Sequence, residues 1–431
     1  MTTPNNAASI SPQEQSRDVT TTSCCIVGGG PAGAVLALLL ARSGVPVKLL
    51  EVHKDFDREF RGDTIHPSTL EILDQIGLAV PLHQLPHSKV SGPTLQFSDG
   101  PFQPFDLSRL KTKFPYILLV PQSRFLEFIT HEATKYPSFD LIMRANVKQL
   151  IEEDGVVRGV RYLGSDDQWH ELRALLTVGA DGRFSQLRQL AGFEPVKTSP
   201  PMDVLWFRLP HLSQDLELPG GALGGIGRGL ILVVFDRGDY WQTGLVFPKG
   251  RYQELKSQGV EAIRKMIVDI EPRLTRHAES LTHWHQFSLL SVESSRCPRW
   301  HKPGLLLIGD AAHVMSPVGG VGINYAIQDA VVAANLLSGP LKSGNVRESL
   351  LRDVQRQREW PVRLIQAMQS ALQKNVIASV LAAKERPRGV PWQLRLLTRI
   401  PFLRDLPPKM IAFGPRRVHL ETVQDPRTNQ P

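Results

Sequence analysis

The segment CCIVGGGPAGAVLALLLARSGVPVKLLE, residues 24–51, carries the clearest structural signal in the chain. The apolar run at 24–27 predicts a buried strand that enters a cluster of glycines. Apolar residues at helical spacing then predict a helix over about 32–43, which Gly44 ends. A second apolar run at 46–50 predicts a strand parallel to the first. This order of strand, helix and strand is typical of the repeating unit of an α/β fold.

Three glycines in this segment, Gly28, Gly30 and Gly33, have the spacing G-x-G-x-x-G. The first permits a tight turn, the second lets a pyrophosphate approach the backbone, and the third lets the helix pack on the strand. The N–H groups and positive dipole end of the helix favour a phosphate. Glu51 follows near the spacing at which a carboxylate binds a ribose, and it disfavours a 2′-phosphate there. The segment predicts a Rossmann-like site for NAD or FAD, and a structural turn that binds nothing is the alternative.

The composition limits the class of protein. A chain of 431 residues is long enough for two or three domains, and 42% hydrophobic and 21% charged residues are typical of a soluble globular protein. Residues 1–22 are polar and predict a disordered tail without the apolar core of a secretory signal. No apolar run reaches the roughly 18 residues that a membrane-spanning helix needs.

The positive charge is concentrated towards the C-terminus. The formal net charge is +8, and residues 341–431 contain 17 Lys and Arg against 7 Asp and Glu. A basic region of this kind can meet anionic lipid, nucleic acid or no partner. No nucleic-acid-binding motif accompanies it, so we expect no nucleic-acid partner.

The cysteines and histidines predict neither a disulfide framework nor a metal site. Cys24 and Cys25 are neighbours in a buried strand and therefore point to opposite faces, and Cys297 is distant in sequence. This usage fits a reducing, cytoplasmic compartment. His283 and His285 would share one face of a strand, but no third ligand is evident, so we expect no metal.

Two later segments repeat the pattern of a strand that runs into a glycine-containing turn. Residues 174–181 read ALLTVGAD and end at Asp181. Residues 305–329 read LLLIGDAAHVMSPVGGVGINYAIQD, with Asp310 at a strand end and a helix that begins near Ile323. A strand-end carboxylate can accept hydrogen bonds from ribityl or ribose hydroxyls, and a helix N-terminus offers N–H groups to an electron-rich ring edge. An ordinary strand-to-helix connection is the alternative for this second segment.

Together these motifs resemble the single-component FAD-dependent aromatic hydroxylases, the group that includes para-hydroxybenzoate hydroxylase and the ubiquinone-pathway hydroxylases. The resemblance covers about residues 24–336. It rests on the glycine fingerprint with Glu51, on Arg61 in REFRGD, on GADG at 179–182 and on GD at 309–310.

The resemblance implies an α/β fold: a Rossmann-like FAD-binding domain of the glutathione-reductase type, an inserted, mostly β substrate domain, and a C-terminal helical segment. The expected division gives the FAD-binding domain residues 23–92, 115–193 and 296–338. The substrate domain takes residues 93–114 and 194–295, and the C-terminal helical region takes residues 339–431.

The resemblance also implies site residues. Gly28, Gly30, Gly33 and Glu51 would hold the ADP part of FAD, and Asp310 would bind the ribityl chain.

Three further residues would lie along the phosphates and the ribityl chain of the cofactor. They are Arg61 and, in the segment VPQSRFLEF, Gln122 and Arg124. A surface salt bridge is the alternative for Arg61 or Arg124. Asp181 belongs to a motif associated with both FAD and NAD(P)H. Arg61 is the candidate at the position where the cofactor or substrate exchanges, and Pro317 is the second catalytic candidate. The residues implied around the isoalloxazine ring are Pro317, Gly320, Gly322, Ile323 and Asn324.

The implied reaction is a hydroxylation. NAD(P)H would reduce FAD, and O2 would then give a C4a-hydroperoxide that transfers oxygen to an aromatic or quinone-like small molecule. Residues 220–230, GGALGGIGRGL, have the wrong spacing for a second fingerprint and predict a hairpin or loop, so we expect NADH or NADPH as a transient co-substrate. The alternatives are a geranylgeranyl-reductase-like enzyme that reduces prenyl-chain double bonds, for which YWQTGLVFP at 240–248 is a poor match, and a lipid carrier without reducible FAD. A halogenase is disfavoured, because no W-x-W-x-I-P segment follows the fingerprint.

Strands dominate the predicted substrate domain, at 203–208, 230–235 and 240–247, and predict a sheet that covers the pocket. Four aromatic residues of these strands are candidates for lining the pocket, although plain sheet core is the favoured interpretation for each. They are Trp206, Phe235, Tyr240 and Trp241.

The C-terminal region is predicted to be helical. Residues 352–381 carry an apolar helical stripe, and residues 391–417 mix apolar with basic residues. The second segment is either a helix packed on the substrate domain, which is slightly favoured, or an amphipathic segment at a membrane. We therefore expect a cytoplasmic protein, with peripheral contact at the inner face of a membrane as the second interpretation.

Overall fold

The computed structural model of the chain describes residues 18–57, 64–97, 100–212, 221–383, 389 and 401–421. Within these residues the strands are β1 (Asp18–Val27), β2 (Val47–Glu51), β3 (Thr64–Ile65), β4 (Ser88–Val90), β5 (Thr94–Phe97), β6 (Gly100–Phe102), β7 (Ile117–Leu119), β8 (Phe139–Met143), β9 (Asn146–Glu153), β10 (Val156–Leu163), β11 (Trp169–Gly179), β12 (Val196–Thr198), β13 (Met202–Pro210), β14 (Ala222–Gly227), β15 (Leu230–Asp236), β16 (Tyr240–Pro248), β17 (Ser288–Leu290), β18 (Ser294–Arg296), β19 (His301–Lys302), β20 (Leu305–Leu307) and β21 (His313–Val314).

The helices of the described residues are α1 (Pro31–Arg42), α2 (Pro67–Gln75), α3 (Ala79–Leu82), α4 (Gln122–Thr134), α5 (Gln186–Leu190), α6 (Tyr252–Ser257), α7 (Gly259–Ile270), α8 (Thr275–Ala278), α9 (Gly322–Lys342), α10 (Glu348–Leu372), α11 (Ala378–Ala382) and α12 (Pro401–Phe413). Short 3₁₀ turns span Leu107–Arg109, Pro272–Leu274, Trp284–Gln286, Gly309–Ala311 and Val318–Gly320, and a π-helical turn spans Gln373–Ile377.

The larger sheet carries the first glycine turn. Its strands run in the order β19-β20-β11-β1-β2-β8, and the hairpin β9–β10 joins it through β11. β1 pairs in parallel with β11 and β2, and β11 pairs in parallel with β20. The carboxyl ends of β1, β11 and β20 therefore meet at one edge of the sheet, which is where an open α/β sheet places its ligand.

Helix α1 is buried on all sides. Ten of its 12 residues, from Ala32 to Ala41, are buried, and they pack between the sheet and helices α4 and α9. A helix that is apolar all round is stable only when covered in this way. Its position behind β1 and β2 fixes the direction of its N-terminus, which points to the edge where the parallel strands end.

The two adjacent cysteines lie on opposite faces of β1, which confirms the prediction from their spacing. Cys24 packs in the core formed with α1, whereas Cys25 packs in the core on the other face. Both thiols and that of Cys297 are free and buried. Burial raises the pKa of all three thiols, so they remain protonated and unreactive near neutral pH.

A second sheet has the strand order β17-β13-β16-β15-β14-β5-β6. One face is covered by α7 through Ile263, Ile267 and Ile270. The opposite face packs against Val318 and Leu381. Strands β5 and β6, from a distant part of the sequence, extend this sheet through a parallel pairing of β5 with β14.

Residues 221–230, the described part of the glycine-rich segment, belong to a hairpin, as the sequence predicts. β14 and β15 pair as antiparallel strands, and Arg228 and Gly229 between them have φ of +47° and +75°. Positive φ at both positions is typical of the two-residue turn that matches the twist of a hairpin. The segment is therefore part of the second sheet.

Two expectations about chain segments are wrong. β1 begins at Asp18, inside the segment 1–22 that the sequence predicts as a tail, because Asp18–Thr22 pair with residues 170–174 of β11; residues 1–17 lie outside the described residues. His283 and His285 do not share a strand face. The chain turns there in a 3₁₀ conformation, which the Gln286 side chain closes by accepting from the His283 N–H over 2.8 Å.

The C-terminal helices pack on the body of the protein. The stripe predicted for 352–381 is only partly buried, since Ile365 and Leu381 are covered but Met368 and Leu372 are 38% and 42% exposed. Among the described residues, no helix combines the length and apolar character needed to span a membrane.

Helix α12 and residues 414–417 form the described part of the predicted basic amphipathic segment, and residues 391–400 lie outside the described residues. Ala412 and Phe413 of α12 are buried against Leu107, Leu119 and Ala222. For this part of the segment, the structure agrees with the first interpretation, a helix packed on the body of the protein.

Candidate functional site

The first glycine turn fits tightly against the turn that follows β11. Gly28 has φ +107°, and a Cβ added there would lie 2.4 Å from the Ala180 carbonyl oxygen. The Ala180 N–H donates to the Val27 carbonyl over 2.8 Å. A Cβ at Gly33 would lie 2.0 Å from the Gly28 carbonyl oxygen. Strand and helix can therefore approach this closely only with glycine at both positions.

The start of α1 offers backbone donors in front of an open space. Gly30 is the N-cap and supplies no side-chain cap, Pro31 follows it, and the first turn contains no acidic residue. A Cβ at Gly30 would have its nearest neighbour, the Ala180 carbonyl oxygen, 4.0 Å away. Backbone N–H groups together with the positive end of a helix suit a phosphate at this position.

Glu51 lies beside this turn at the end of β2. Its carboxylate is 2% exposed and accepts from the Gly29 N–H over 2.8 Å. Its other oxygen accepts from the His53 N–H over 3.0 Å and lies 2.6 Å from the His53 Nδ1. These contacts hold the carboxylate in one orientation next to the glycine turn.

The second motif connects the other two. The Asp181 carboxylate accepts from the Ser185 Oγ over 2.5 Å and from the Leu187 N–H over 3.0 Å, so it caps α5. Burial raises the pKa of the Asp181 carboxyl despite these hydrogen bonds. Arg188 of α5 donates to the Ala311 carbonyl over 3.1 Å, which ties this turn to the third motif.

The third turn, after β20, packs between two helices. A Cβ at Gly309 would lie 3.1 Å from the Ala32 Cβ in α1 and 3.2 Å from the Ala326 Cβ in α9. Asp310 follows in the same turn and is partly exposed. The three motifs, far apart in sequence, therefore converge on the first turn of α1.

A buried ionic network holds the third turn from behind. Asp329 of α9 accepts from the Gly309 N–H over 3.0 Å and from the Arg358 Nε over 2.7 Å, and lies 2.6 Å from the His313 Nε2. The side chains of Asp329 and Arg358 are fully buried and that of His313 is nearly so. Burial opposes the charge of Asp329, yet His313 and Arg358 hold the pKa of its carboxyl below its usual range.

Sequence reasoning missed this network. Asp329 ends the quoted third motif, but it received no role, and Arg358 was not singled out. Arg358 shares a helical face with Leu351, Val354 and Val362, which are all buried. A basic residue on an apolar face indicates a buried charge with a partner, and this pattern could have identified it.

The loop after the third turn brings together the residues predicted around a flavin ring. Pro317 caps the turn Val318–Gly320, and α9 begins at Gly322 without a side-chain cap. Its first-turn N–H groups are therefore available to an acceptor. The Gly320 carbonyl accepts from the Thr64 Oγ1 over 2.8 Å, and Ile323 is partly buried beside it.

Asn324 uses its side chain to hold the start of α2. Its Oδ1 accepts from the His66 N–H over 2.9 Å and from the Thr69 Oγ1 over 2.7 Å. Its Nδ2 donates to the Thr64 carbonyl over 3.1 Å. Since the amide is already occupied, its backbone is the part of Asn324 left for a cofactor.

Protonation of His66 is expected to make the protein acid-sensitive. Burial lowers the pKa of His66 from 6.5 to about 4, against hydrogen bonds to the carbonyls of Ile411 and Gly320. Below pH 6.5 the His66 side chain is protonated in the unfolded chain, whereas in the folded chain it stays neutral until about pH 4. The free energy of unfolding therefore falls by roughly 3 kcal/mol as the pH drops across this window. The variant His66→Asn keeps a donor for the Ile411 carbonyl but has no group that titrates here. In denaturant titrations from pH 7 to 4, its free energy of unfolding should not show this part of the decline. The exposed control His131→Asn should keep it; an unchanged decline in His66→Asn contradicts the assignment.

Three predicted residues are not placed at these turns. Arg61 lies outside the described residues. Gln122 is the first residue of α4, which packs on α1. Arg124 is 64% exposed and pairs with Glu127 over 3.1 Å, the surface salt bridge that was its alternative. The cofactor roles of all three stay predictions.

The aromatic candidates divide between the two faces of the second sheet. Trp241 is 2% exposed and stacks on His211 at 4.2 Å, so the core interpretation is confirmed for it. Trp206 and Phe235 are partly buried and share the opposite face, where Trp206 packs in the cluster that contains Val318. Tyr240 lies under the Arg208 guanidinium, 4.7 Å from the ring centroid.

Comparison with known proteins agrees with this geometry. The model of the family described as FAD binding domain matches residues 21–367, so the chain belongs to that family. The 6-methylpretetramide 4-monooxygenase of Streptomyces rimosus is 32% identical over 399 residues, which cover 91% of this chain and 92% of the relative. An uncharacterised aromatic compound monooxygenase of Bacillus subtilis is 25% identical over 394 residues, covering 88% of this chain and 77% of the relative.

A solved structure shows the same fold. The crystal structure of a probable FAD-dependent monooxygenase from Pseudomonas aeruginosa matches with a TM-score of 0.72 at 20% identity, over 84% of this chain and 99% of that one. The protein is thus an FAD-dependent oxidoreductase of the monooxygenase class. The sequence-based prediction of that class and cofactor is confirmed.

Proposed function

We propose that this protein hydroxylates an aromatic or quinone-like small molecule, with FAD as the prosthetic group, NAD(P)H as the electron donor and O2 as the oxygen source. The observation that carries the proposal is the convergence of the three turns, in which Gly28 contacts Ala180 and Gly309 contacts Ala32. When bound, FAD supplies the two-electron and oxygen chemistry that side chains lack. The protein binds and orients the cofactor and the substrate, and it excludes water from the site.

The described residues at the three turns and at the start of α9 suit several parts of FAD. The open space before Gly30 and the start of α1 suits the pyrophosphate, and the fixed carboxylate of Glu51 suits the adenosine ribose. Asp310, partly exposed in the third turn, would accept from ribityl hydroxyls. The N-terminus of α9 at Gly322 suits the negative charge that the reduced ring carries at its pyrimidine edge. Pro317 would border the ring on the substrate side.

The domain division stays a prediction. The β1–α1–β2 unit with Glu51 supports an FAD-binding domain of the glutathione-reductase type. The sheet formed by 94–102 and 202–290 supports the expected substrate domain.

The second sheet supplies the surface that favours an aromatic substrate. Trp206 and Phe235 lie on the face that meets Val318, one residue after Pro317. Arg208 and Gln242 pair across neighbouring strands on the same face and add polar groups to it. An apolar surface with few polar groups is typical of a site for a planar ring. The relatives' names specify 6-methylpretetramide and an aromatic compound, which supports this class.

The direct test follows one oxygen atom. Purified enzyme is expected to carry FAD, to be reduced by NADPH or NADH without air, and to incorporate one atom of ¹⁸O2 into a phenolic or polycyclic substrate from a screened panel. Prenyl-chain reduction without oxygen, or a product whose new oxygen comes from water, would contradict the proposal.

Glu51→Gln is expected to weaken FAD binding by roughly 10- to 100-fold, because a charge-assisted contact to the ribose becomes a neutral one. The dissociation constant for FAD, measured by flavin fluorescence on the apoprotein, checks this. Glu261→Gln is the matched control, since the Glu261 side chain is 83% exposed on α7. Equal FAD affinity in the Glu51 and Glu261 variants would remove Glu51 from the site.

A further inference from the structure

A basic groove lies between the 3₁₀ turn Leu107–Arg109 and α12. Its volume is about 420 Å³, and Asp405 is the one carboxylate among the described residues that line it. Four cationic side chains line the groove: Arg109, Lys111, Lys409 and Arg417.

These cations are only partly neutralised. Arg109 is 3.3 Å from a carboxylate oxygen of Asp106, and the Arg417 guanidinium is 3.8 Å from that of Glu71. Lys111 and Lys409 are exposed and form no ion pair with any described residue. A concave surface with this surplus of positive charge attracts a ligand with several negative charges.

The floor of the groove carries a planar contact. The Arg417 guanidinium carbon lies 3.6 Å from the centroid of the Phe413 ring, and Phe413 is 4% exposed. This contact holds the guanidinium in place, and guanidinium groups pair with phosphate and stack on planar rings. The groove can therefore recognise a phosphate and a base together.

The groove adjoins the first turn of α9. A Cβ at Gly414, next to Phe413, would lie 2.7 Å from the Tyr325 hydroxyl oxygen, and Tyr325 follows closely on Gly322. The Ile411 carbonyl lies 2.7 Å from the His66 Nδ1, which joins α12 to the start of α2. The wall of the groove is thus built on the end of α9 to which the flavin ring edge is assigned.

We propose that the basic groove binds the phosphates of NADPH, and this rests on the proposed use of a nicotinamide nucleotide. The described chain has one glycine fingerprint, which is assigned to FAD, so a nicotinamide nucleotide needs another surface. The 2′-phosphate of NADPH adds nearly two negative charges that NADH lacks, and four cations favour the more charged nucleotide. Exposed contacts also suit a co-substrate that must leave after each turnover.

The test compares two triple variants that remove the same charge. The groove variant is Lys111→Gln, Lys409→Gln, Arg417→Gln. The control is Lys135→Gln, Lys256→Gln, Arg363→Gln, at exposed cations at the end of α4, on α6 and on α10. NADP⁺ and NAD⁺ are titrated calorimetrically into each FAD-loaded enzyme, and flavin reduction by NADPH is followed without air.

The groove variant is expected to bind NADP⁺ roughly 10- to 100-fold more weakly, since three exposed charge contacts are lost. The control should bind NADP⁺ as tightly as the wild type, since its charges lie on other surfaces. FAD content and the limiting rate of flavin reduction at saturating NADPH should not change. If the triple variant is unstable, Lys111→Gln alone should weaken NADP⁺ binding about threefold.

The inference is overturned if the groove variant binds NADP⁺ as tightly as the wild type, if the control loses as much affinity, or if the wild type binds NAD⁺ at least as tightly as NADP⁺. If NADPH reduces the wild type but the groove variant keeps its affinity for NADP⁺, the groove assignment is wrong and the proposed function is not affected. A wild-type enzyme that neither nucleotide reduces contradicts both the groove and the proposed function.

Discussion

Arg358→Met is expected to lower the free energy of unfolding by about 3–5 kcal/mol and to release FAD, because it leaves the buried Asp329 carboxylate without its cationic partner. The Arg358 Nε lies 2.7 Å from Asp329, both side chains are fully buried, and the same carboxylate accepts from the Gly309 N–H. Loss of the pair therefore disturbs the turn that carries Asp310. Urea titration and the flavin absorbance of the purified protein are the measurements.

A double variant separates the network from a general packing defect. Removing both charges in Asp329→Asn, Arg358→Met should cost less than the sum of the two single changes, because no unpaired charge remains buried. Arg356→Met, at an exposed position of the same helix, is the matched control and should change stability by less than about 0.5 kcal/mol. Additive single effects, or an Arg358 variant as stable as the control, would contradict the role assigned to the network.

Gly33→Ala is expected to yield protein without flavin, or no folded protein. The new Cβ would lie 2.0 Å from the Gly28 carbonyl oxygen and 3.2 Å from the Ile26 Cγ2. Neither the strand nor the buried helix α1 can move away without disturbing the donors at Gly30. We expect at least a tenfold loss of FAD affinity, measured by flavin fluorescence, and a lower midpoint of thermal unfolding.

The same substitution at another helical glycine provides the control. Gly339 lies in α9, and a Cβ added there would meet no other part of the described protein within 4 Å. Gly339→Ala should retain FAD, because the added methyl group meets no neighbouring element. FAD retention by Gly33→Ala equal to that of Gly339→Ala would show that helix and strand do not need this close approach.

Local signals allowed much of the fold to be predicted. The helix that follows Gly30 and the strand that ends at Glu51 were found within one or two residues, because glycine, proline and apolar spacing act over a few residues. The start of β1 was missed, since Asp18–Thr22 are polar apart from Val19 and become a strand only by pairing with β11. The turn at His283–Gln286 was missed for a similar reason: a side-chain hydrogen bond closes it, and alternation of residue types does not reveal that.

The turns that form the candidate site were predictable where one residue type determines the local geometry. Gly28, Gly33 and Asp310 belong to such turns. The partnership of Asp329 with Arg358 was not predictable, because it depends on how α10 crosses α9. The side-chain role of Asn324 likewise requires Thr64 and His66, which are remote in sequence. Contacts between side chains of different helices and strands therefore could not be predicted from the sequence alone.

The ionic network also bears on biosynthesis. The glycine turn expected to hold the adenosine part needs the chain up to Ala180, against which Gly28 packs. The turn at Gly309 depends in addition on Asp329 and on Arg358, synthesised some 150 to 180 residues after Ala180. On the ribosome, a nascent chain that stops short of α10 lacks the partners that hold this last turn. We therefore expect capture of the yellow coenzyme to follow translation of most of the polypeptide.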